Sequence, residues 1–256
     1  MARRRLWPII KKVWITVGLS ATVIFVAWSL IAFRASPVAR EAIQSDASVS
    51  VQHGDGLWQF IPGASVPRQA TSLVFFPGGL VDPVAYAPLA RAAAVAGFPA
   101  YIIELPRRGA FGGANAPELS ARVRRLLQQP GISGRWVVAG HSRGGVVASS
   151  VAAARVPGMA GVVLIGTSHP RDVDLSALDV PVTKISGTRD GLASRAKVEE
   201  NRHRVPATTR WVWIEGGNHS QFGWYGFQPG DRRATITAEA QRDQMIKAVM
   251  EALAGT

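Results

Sequence analysis

The sequence contains no cysteine in its 256 residues. This absence excludes disulfide bonds, thiolate metal sites and a cysteine nucleophile. The oxidising or reducing character of the protein's compartment therefore cannot be inferred from cysteine pairing. We expect neither a metal site nor a cofactor, because no other pattern in the sequence calls for one.

Acidic residues are scarce: the chain has 17 Asp and Glu but 29 Lys and Arg, which gives a formal net charge of +12. Five of the basic residues fall within positions 1–12, and an excess of 7 remains in the rest of the chain. Such an excess favours binding to anionic surfaces, for example lipid headgroups or cell-envelope polymers. The sequence lacks the basic helix, the aromatic–basic interleaving and the zinc-knuckle spacing of nucleic-acid-binding modules, so we expect no nucleic-acid partner.

Charged residues are also absent from positions 13–33, "VWITVGLSATVIFVAWSLIAF". An apolar helix needs about 20 residues to cross a bilayer, whereas the apolar region of a cleaved secretory signal has only about 7–15. Phe33-Arg34-Ala35 is also a poor match to a signal cleavage site. We therefore favour an uncleaved transmembrane signal-anchor over a cleaved signal. Trp14 and Trp28 lie towards its ends, as interfacial aromatic residues often do.

The charge distribution around this segment predicts its orientation. Basic residues are concentrated in 1–12, so the positive-inside rule places that stretch in the cytoplasm and the rest of the chain outside. Residues 34–47 are polar and rich in small side chains, which is typical of a linker. The sequence thus predicts a single-pass membrane protein whose folded domain, 48–256, is extracytoplasmic.

Short apolar runs alternate with helical patterns from residue 48 onward. Predicted strands cover 48–52, 57–62, 72–76, 100–104, 135–140, 161–166, 182–187 and 210–216, and predicted helices cover 82–96, 118–129, 144–155, 193–204 and 237–253. This alternation indicates an α/β fold with a mostly parallel, doubly wound sheet, whose functional residues lie at the carboxyl ends of strands. Only about 15 residues separate the sixth and seventh strands, which leaves no room for a cap domain.

Gly140-His141-Ser142-Arg143-Gly144 fits the pattern G-x-S-x-G, known as the nucleophile elbow. The two glycines let a strand and a helix approach closely, and the helix N-terminus adds positive potential around the serine hydroxyl. About 0.2 such matches are expected by chance, and a simple tight turn is the alternative. The motif joins a predicted strand to a predicted helix, so we predict that Ser142 is a nucleophile.

A serine nucleophile needs a base, and the base needs an acid to orient it. Asp190 follows the seventh predicted strand and His219 follows the eighth, in the required order of serine, acid and histidine. The alternatives are that Asp190 caps the next helix and that His219 is an ordinary loop residue. We interpret His141 as structural. The other histidines and runner-up acids lack the right placement, namely His53, His169, His203, Asp172, Asp174 and Asp179.

An oxyanion hole would require two backbone N–H donors near the serine. One is expected from Arg143, the residue after the nucleophile, and the other from the loop that follows the strand 72–76. Pro77 has no N–H to donate, so Gly79 is the first candidate in that loop, followed by Gly78 and Leu80. A simple glycine turn is the alternative interpretation of the loop.

Four blocks of sequence resemble the α/β-hydrolase superfamily: "FFPGGLVDPVAYAPLARAAAVAGF", "VVAGHSRGG", "ISGTRDGLAS" and "IEGGNHSQFGWYGFQPGD". The last block is similar to the small, capless dienelactone-hydrolase-like group within it. The resemblance extends from about residue 72 to the C-terminus, and it implies a Ser142–Asp190–His219 triad. Dienelactone hydrolases have a cysteine nucleophile, whereas this chain has a serine, which favours an esterase-type reaction.

These observations lead us to expect a serine hydrolase that cleaves an acyl ester, with a thioester or an amide left open. Two alternatives are an acyltransferase that uses the same triad and a non-catalytic, membrane-tethered binding protein on a hydrolase scaffold. The expected partners are a small-molecule or lipid-like acyl substrate and the membrane. Four aromatic residues after the histidine either contact an apolar acyl group or pack in the core, namely Phe222, Trp224, Tyr225 and Phe227.

Overall fold

The computed structural model describes residues 2–128 and 134–256, with side chains from residue 6 onward. The strands in these residues are β1 (Val49–Gly54), β2 (Leu57–Pro62), β3 (Thr71–Phe76), β4 (Ala100–Ile103), β5 (Arg135–His141), β6 (Met159–Ile165), β7 (Val182–Gly187) and β8 (Arg210–Ile214). The helices are α1 (Ala2–Ala32), α2 (Pro37–Glu41), α3 (Ala87–Val95), α4 (Pro117–Leu127), α5 (Arg143–Ala153), α6 (Arg195–Glu200) and α7 (Ala238–Ala254).

The strands form one sheet in the order β1-β2-β4-β3-β5-β6-β7-β8. β1 and β2 pair antiparallel, as do β2 and β4, and every other pair is parallel. This topology confirms the predicted α/β-hydrolase fold with a mostly parallel sheet. Because β3 to β8 run in one direction, the loops that follow them meet at a single edge, which we call the carboxyl edge.

The sheet is covered on both faces, and alternate residues of each strand enter different cores. Phe75 of β3 belongs to the core shared with α3 and α7, whereas its neighbour Val74 belongs to the core shared with α4 and α5. All six residues of β3 are buried, as are all four of β4. Strands that are buried on both faces have continuous apolar sequences, which is why these strands could be predicted from the sequence.

Two helices differ in detail from the prediction. The helix expected over 82–96 begins as a 3-10 turn, Pro83–Tyr86, and Asp82 caps it by accepting a hydrogen bond from the Val84 N–H at 3.1 Å. The helix expected over 193–204 stops at Glu200. The backbone of Asn201 is no longer α-helical, and its side chain donates a hydrogen bond to the Lys197 carbonyl at 3.0 Å.

The segment between β6 and β7, residues 166–181, contains no helix, and in the described residues no cap covers the carboxyl edge at this point. The capless architecture expected from the short spacing is therefore present.

The N-terminal region consists of the long apolar helix α1 followed by the short helix α2. α1 is long and apolar enough from Leu6 to Ala32 to cross a membrane, and almost all of this stretch is exposed. Residues 34–47, expected to form a linker, pack against the domain instead, with Ala35 and Ala39 buried in the core. Their small side chains fit closely there, a packing that the linker-like composition does not reveal.

Candidate active site

Ser142 lies alone between the end of β5 and the start of α5, at the carboxyl edge. Its backbone has φ 52° and ψ −113°, a conformation that costs free energy in any residue with a side chain. The neighbouring glycines explain how the turn is possible. A Cβ on Gly140 would collide with the Gly144 backbone, and a Cβ on Gly144 would collide with the carbonyl of Phe76. The sequence G-x-S-x-G therefore produces the close approach of strand and helix that the motif predicts.

The structure brings Asp190 and His219 into direct contact. The His219 Nδ1 lies 2.9 Å from the Asp190 Oδ2, and both side chains are essentially inaccessible, at 2% and 0% exposed. The other carboxylate oxygen accepts hydrogen bonds from the N–H groups of Leu192 and Ala193, at 2.8 and 2.6 Å. Asp190 therefore caps the following turn and binds the histidine at the same time. Its interpretation as a cap is thus compatible with its interpretation as the acid that orients His219.

The second ring nitrogen of His219 has a different environment. Its Nε2 is buried and has no hydrogen-bond partner among the described residues. Because Nδ1 faces a carboxylate, the proton of the neutral ring is held at Nδ1 and the lone pair at Nε2. A lone pair in this position can accept a proton from a hydroxyl group.

Ser142 and His219 line the same cleft, which has a volume of about 250 Å³. Its other lining residues come from α5 and from the loops that follow β6 and β7: Arg143, Val146, Gly166, Thr167, Ser168, His169, Arg171, Leu192 and Ala193. The wall formed by 166–171 could not be predicted, because its residues match no catalytic pattern. The structure also places His169 beside the cleft, although its position in the sequence had argued against a role.

The loop after β3 contains the three candidate donors, and two of them are already engaged. The Gly78 N–H donates to the Tyr86 hydroxyl at 3.1 Å, and the Leu80 N–H donates to the Arg108 carbonyl at 2.7 Å. The Gly79 N–H has no partner in the described part of the chain. A Cβ built on Gly79 would lie 3.3 Å from the Cβ of Arg143, so the two backbones approach closely.

The Arg143 N–H is likewise without a partner among the described residues. It belongs to the first residue of α5, where backbone N–H groups have no intrahelical acceptor. The amides of Gly79 and Arg143 are therefore two unused donors on residues that approach each other closely, and Arg143 directly follows Ser142. This arrangement is suited to bind a negatively charged oxygen.

His141 lies beneath the cleft. Its Nδ1 lies 2.7 Å from the Tyr86 hydroxyl, and its ring centroid lies 4.6 Å from that of His219. Burial lowers the pKa of His141 well below its ordinary value, and the electrostatic interaction with the adjacent His219 ring acts in the same direction. His141 is thus a neutral ring that supports His219 and orients Tyr86, which agrees with its interpretation as structural.

Lys184 supports the cleft wall from the core. Its side chain is 2% exposed, and Nζ donates to the carbonyls of Thr167 and His169, at 3.0 and 2.5 Å. Burial lowers the pKa of Lys184 to about 7. Arg171 in turn donates from Nε and Nη2 to the His169 Nε2, at 3.1 and 3.0 Å. The wall is therefore held by polar contacts that its sequence did not reveal.

Asp231 connects the loops that present the acid and the histidine. Its Oδ1 accepts from the N–H groups of Gly191 and His219, at 3.0 and 3.2 Å. Its Oδ2 accepts from the Ser220 N–H at 2.8 Å and from the Ser220 hydroxyl at 2.7 Å. Asp231 is the last residue of the fourth block that resembles hydrolases, but no pattern in the sequence indicates its role. Among the described residues, no cluster of three His, Asp or Glu side chains is arranged to hold a metal ion.

Comparisons with known proteins identify the class. A sequence model described as the alpha/beta hydrolase family matches residues 72–243, more than half of the chain, so this chain belongs to that family. A serine hydrolase without a lid from Xanthomonas campestris is 16% identical, with a TM-score of 0.56, and the match covers 83% of this chain and 98% of that one. At such identities, structural similarity demonstrates the fold alone.

Two further solved structures have the same architecture. An esterase from Mycobacterium tuberculosis is 15% identical, with a TM-score of 0.55, and the match covers 85% of this chain and 97% of that one. An alpha-beta serine hydrolase homologue from Coxiella burnetii is 13% identical, with a TM-score of 0.56 and coverages of 82% and 99%. No curated protein gives a significant match to this sequence.

Proposed function

We propose that this α/β-hydrolase is a membrane-anchored serine esterase in which Ser142, His219 and Asp190 form the catalytic triad. The observation that carries the proposal is the buried His219–Asp190 pair, whose free Nε2 shares a cleft with Ser142. A buried histidine with one nitrogen bound to a carboxylate and the other unpartnered is prepared to act as a general base.

In the proposed reaction, His219 accepts the proton of the Ser142 hydroxyl through Nε2 as the oxygen attacks the ester carbonyl. Asp190 stabilises the imidazolium that forms and keeps the ring oriented. The N–H groups of Gly79 and Arg143 donate to the oxyanion of the tetrahedral intermediate. His219 then gives its proton to the departing alcohol, which leaves an acyl-enzyme on Ser142.

Deacylation repeats these steps with water as the nucleophile. Water loses a proton to His219 Nε2 and attacks the acyl carbonyl, and the acid is released when the Ser142 oxygen recovers that proton. The sum is ester plus water giving acid plus alcohol. The esterase from Mycobacterium tuberculosis, whose fold this chain shares, supports an ester as the bond cleaved.

The proposal includes α1 as an uncleaved anchor, with residues 1–12 in the cytoplasm and the hydrolase domain outside. The apolar stretch Leu6–Ala32 is exposed and charged only at Lys11 and Lys12, near its start. Most of this helix has no packing partner in the described chain, and a bilayer would supply one.

Covalent labelling of the full-length protein in detergent tests the proposal. A fluorophosphonate probe should label the wild type and Ser150→Ala equally, because Ser150 lies on the exposed face of α5. Ser142→Ala should lose both the label and the hydrolysis of p-nitrophenyl butyrate. Equal labelling of Ser142→Ala, or no labelling of the folded wild type, would reject the triad.

A further inference from the structure

The end of α1 is joined directly to a loop at the carboxyl edge. The Gly226 N–H donates to the Ala32 carbonyl at 3.2 Å, and the Ser36 N–H donates to the Trp224 carbonyl at 2.8 Å. A side chain on Gly226 would strike the Ala32 carbonyl, so the contact is close. The loop concerned follows β8 and carries His219 a few residues earlier.

A second loop of the same edge is attached to the same point. The Asp82 N–H donates to the Phe33 carbonyl at 3.0 Å, and the Asp82 Oδ2 accepts from the Ala35 N–H at 3.3 Å. The Phe33 ring is buried and packs edge-on against Tyr225, with ring centroids 5.9 Å apart. Asp82 follows Gly79 by three residues, so this loop also belongs to the proposed site.

These contacts fix the orientation of the domain relative to the apolar helix. The loops after β3 and β8 lie at the carboxyl edge, as do Ser142 and Asp190, which follow β5 and β7. α1 therefore leaves the domain at the edge that carries the cleft. A bilayer around α1 begins where the helix emerges, and the carboxyl edge is the side of the domain turned towards it.

The exposed apolar side chains of the domain have an uneven distribution. Outside α1, the exposed large hydrophobic residues of the described chain are Val38, Val95, Phe111 and Phe227. The two aromatic ones, at 70% and 51% exposed, both lie at the carboxyl edge. Phe111 follows β4, and Phe227 is adjacent to Gly226, which contacts α1. Val95 ends α3 just before β4 and lies at the opposite edge.

The same edge carries unpaired positive charge. Arg107, Arg143 and Arg171 lie in or next to the loops after β4, β5 and β6, and all three are exposed. None of them forms an ion pair with a carboxylate in the described residues. Arginine side chains beside exposed aromatic rings suit a surface that contains phosphate headgroups above apolar chains.

We propose that the carboxyl edge is a docking surface for a bilayer of anionic lipids, with Phe111 and Phe227 inserted and the cleft presented to lipid-borne acyl groups. The inference rests on the membrane-anchored form of the proposed function. It makes α1 more than a flexible tether, because its contacts with the domain hold the carboxyl edge on the side of the membrane.

The absence of cysteine permits a direct test in the full-length protein. Phe111→Cys, Phe227→Cys and Val95→Cys each create a single site for an environment-sensitive nitrobenzoxadiazole label. In nanodiscs of mixed phosphatidylglycerol and phosphatidylcholine, nitroxide-labelled lipids should quench the labels at 111 and 227 and spare the label at 95. Iodide in the aqueous phase should show the reverse order. Equal quenching at all three positions would overturn the docking surface.

The lipid charge provides a second comparison. In nanodiscs of phosphatidylcholine alone, or for Arg107→Gln in the mixed nanodiscs, lipid quenching of the label at 111 should weaken. Each exposed arginine near an anionic surface changes such an equilibrium by about fivefold. Arg125→Gln, an exposed substitution on α4, serves as the control and should change nothing. Quenching that is independent of lipid charge and of Arg107 would overturn the anionic partner.

Activity separates this inference from the proposed function. Phe111→Ser and Phe227→Ser should hydrolyse soluble p-nitrophenyl acetate at the wild-type rate but cleave bilayer-embedded 4-methylumbelliferyl oleate several-fold more slowly. Val95→Ser should match the wild type on both esters. If the two variants cleave the embedded ester at the wild-type rate, the docking surface is wrong. If the wild type does not cleave the soluble ester, the proposed esterase activity is wrong, and the quenching experiment then decides the docking surface by itself.

Discussion

The Asp190 Oδ2 lies 2.9 Å from the His219 Nδ1, at the ends of two adjacent parallel strands. Both groups are buried, so water does not compete for either. Because β7 and β8 are neighbours, their terminal loops bring the two side chains together at the carboxyl edge. The contact fixes which ring nitrogen faces the cleft.

Asp190→Asn should therefore lower kcat for p-nitrophenyl butyrate by about 10⁴-fold, because an amide does not hold the histidine in the required tautomer. The measurement is steady-state turnover of the full-length protein, with circular dichroism to check folding. Asp174→Asn is the matched control, since Asp174 is an exposed runner-up acid outside the cleft. A large loss in Asp174→Asn with little loss in Asp190→Asn would contradict the assignment.

Tyr86→Phe should destabilise the protein by about 1–3 kcal/mol. The hydroxyl accepts from the Gly78 N–H and lies 2.7 Å from the His141 Nδ1, and its removal leaves both groups buried without a partner. Urea unfolding measures the change. The control is Tyr225→Phe, whose hydroxyl makes a single longer bond of 3.3 Å to Gln228 and should cost less. An unchanged unfolding free energy for Tyr86→Phe would show that the loop does not depend on this network.

The sequence predicted the features that depend on local patterns. Ser142 lies between a continuous apolar strand and a small-residue helix, and Asp190 and His219 follow strands that were recognisable by the same criterion. The parallel order of the strands then places the three residues at one edge, which is why fold and candidate site could be inferred together. The capless connection between β6 and β7 followed from its length alone.

Features that depend on long-range contacts were not predictable. Lys184 is an ordinary strand residue in the run "VTKISG", and its role is visible only because the loop carbonyls of Thr167 and His169 converge on it. The attachment of α1 to Gly226 was hidden in the same way, because residues 34–47 have the composition of a linker. Polar groups that satisfy distant backbone atoms leave no periodic signal in the sequence.

Lys184 should make stability depend on pH. Burial lowers its pKa from 10.5 to about 7, so between those values the unfolded chain binds a proton that the folded chain does not. The free energy of unfolding therefore gains a term that rises with pH from about 7 to about 10.5 and is constant below and above that window.

Lys184→Met should remove this term. The difference in unfolding free energy between wild type and variant should shift in favour of the wild type as the pH rises from about 7 to about 10. Urea titrations at several pH values measure the difference, in which the titration of all other groups largely cancels. Lys197→Met, an exposed substitution on α6, should show no such slope. A flat difference for Lys184→Met would mean that the buried amine keeps its ordinary pKa.

Asp231→Ala should lower kcat by up to about 10²-fold while changing KM little, because a small displacement of catalytic groups has costs of that size. Its carboxylate accepts hydrogen bonds from Gly191, beside the acid, and from His219 and Ser220, so its loss frees both loops. Asp231 touches no reacting atom in the proposed mechanism and acts as a positioning residue. Asp231→Asn keeps one acceptor oxygen and should recover part of kcat, whereas Asp179→Ala, on an exposed loop, should match the wild type. Equal kcat values for Asp231→Ala and Asp179→Ala would show that the two strand-end loops hold the His219–Asp190 contact without Asp231.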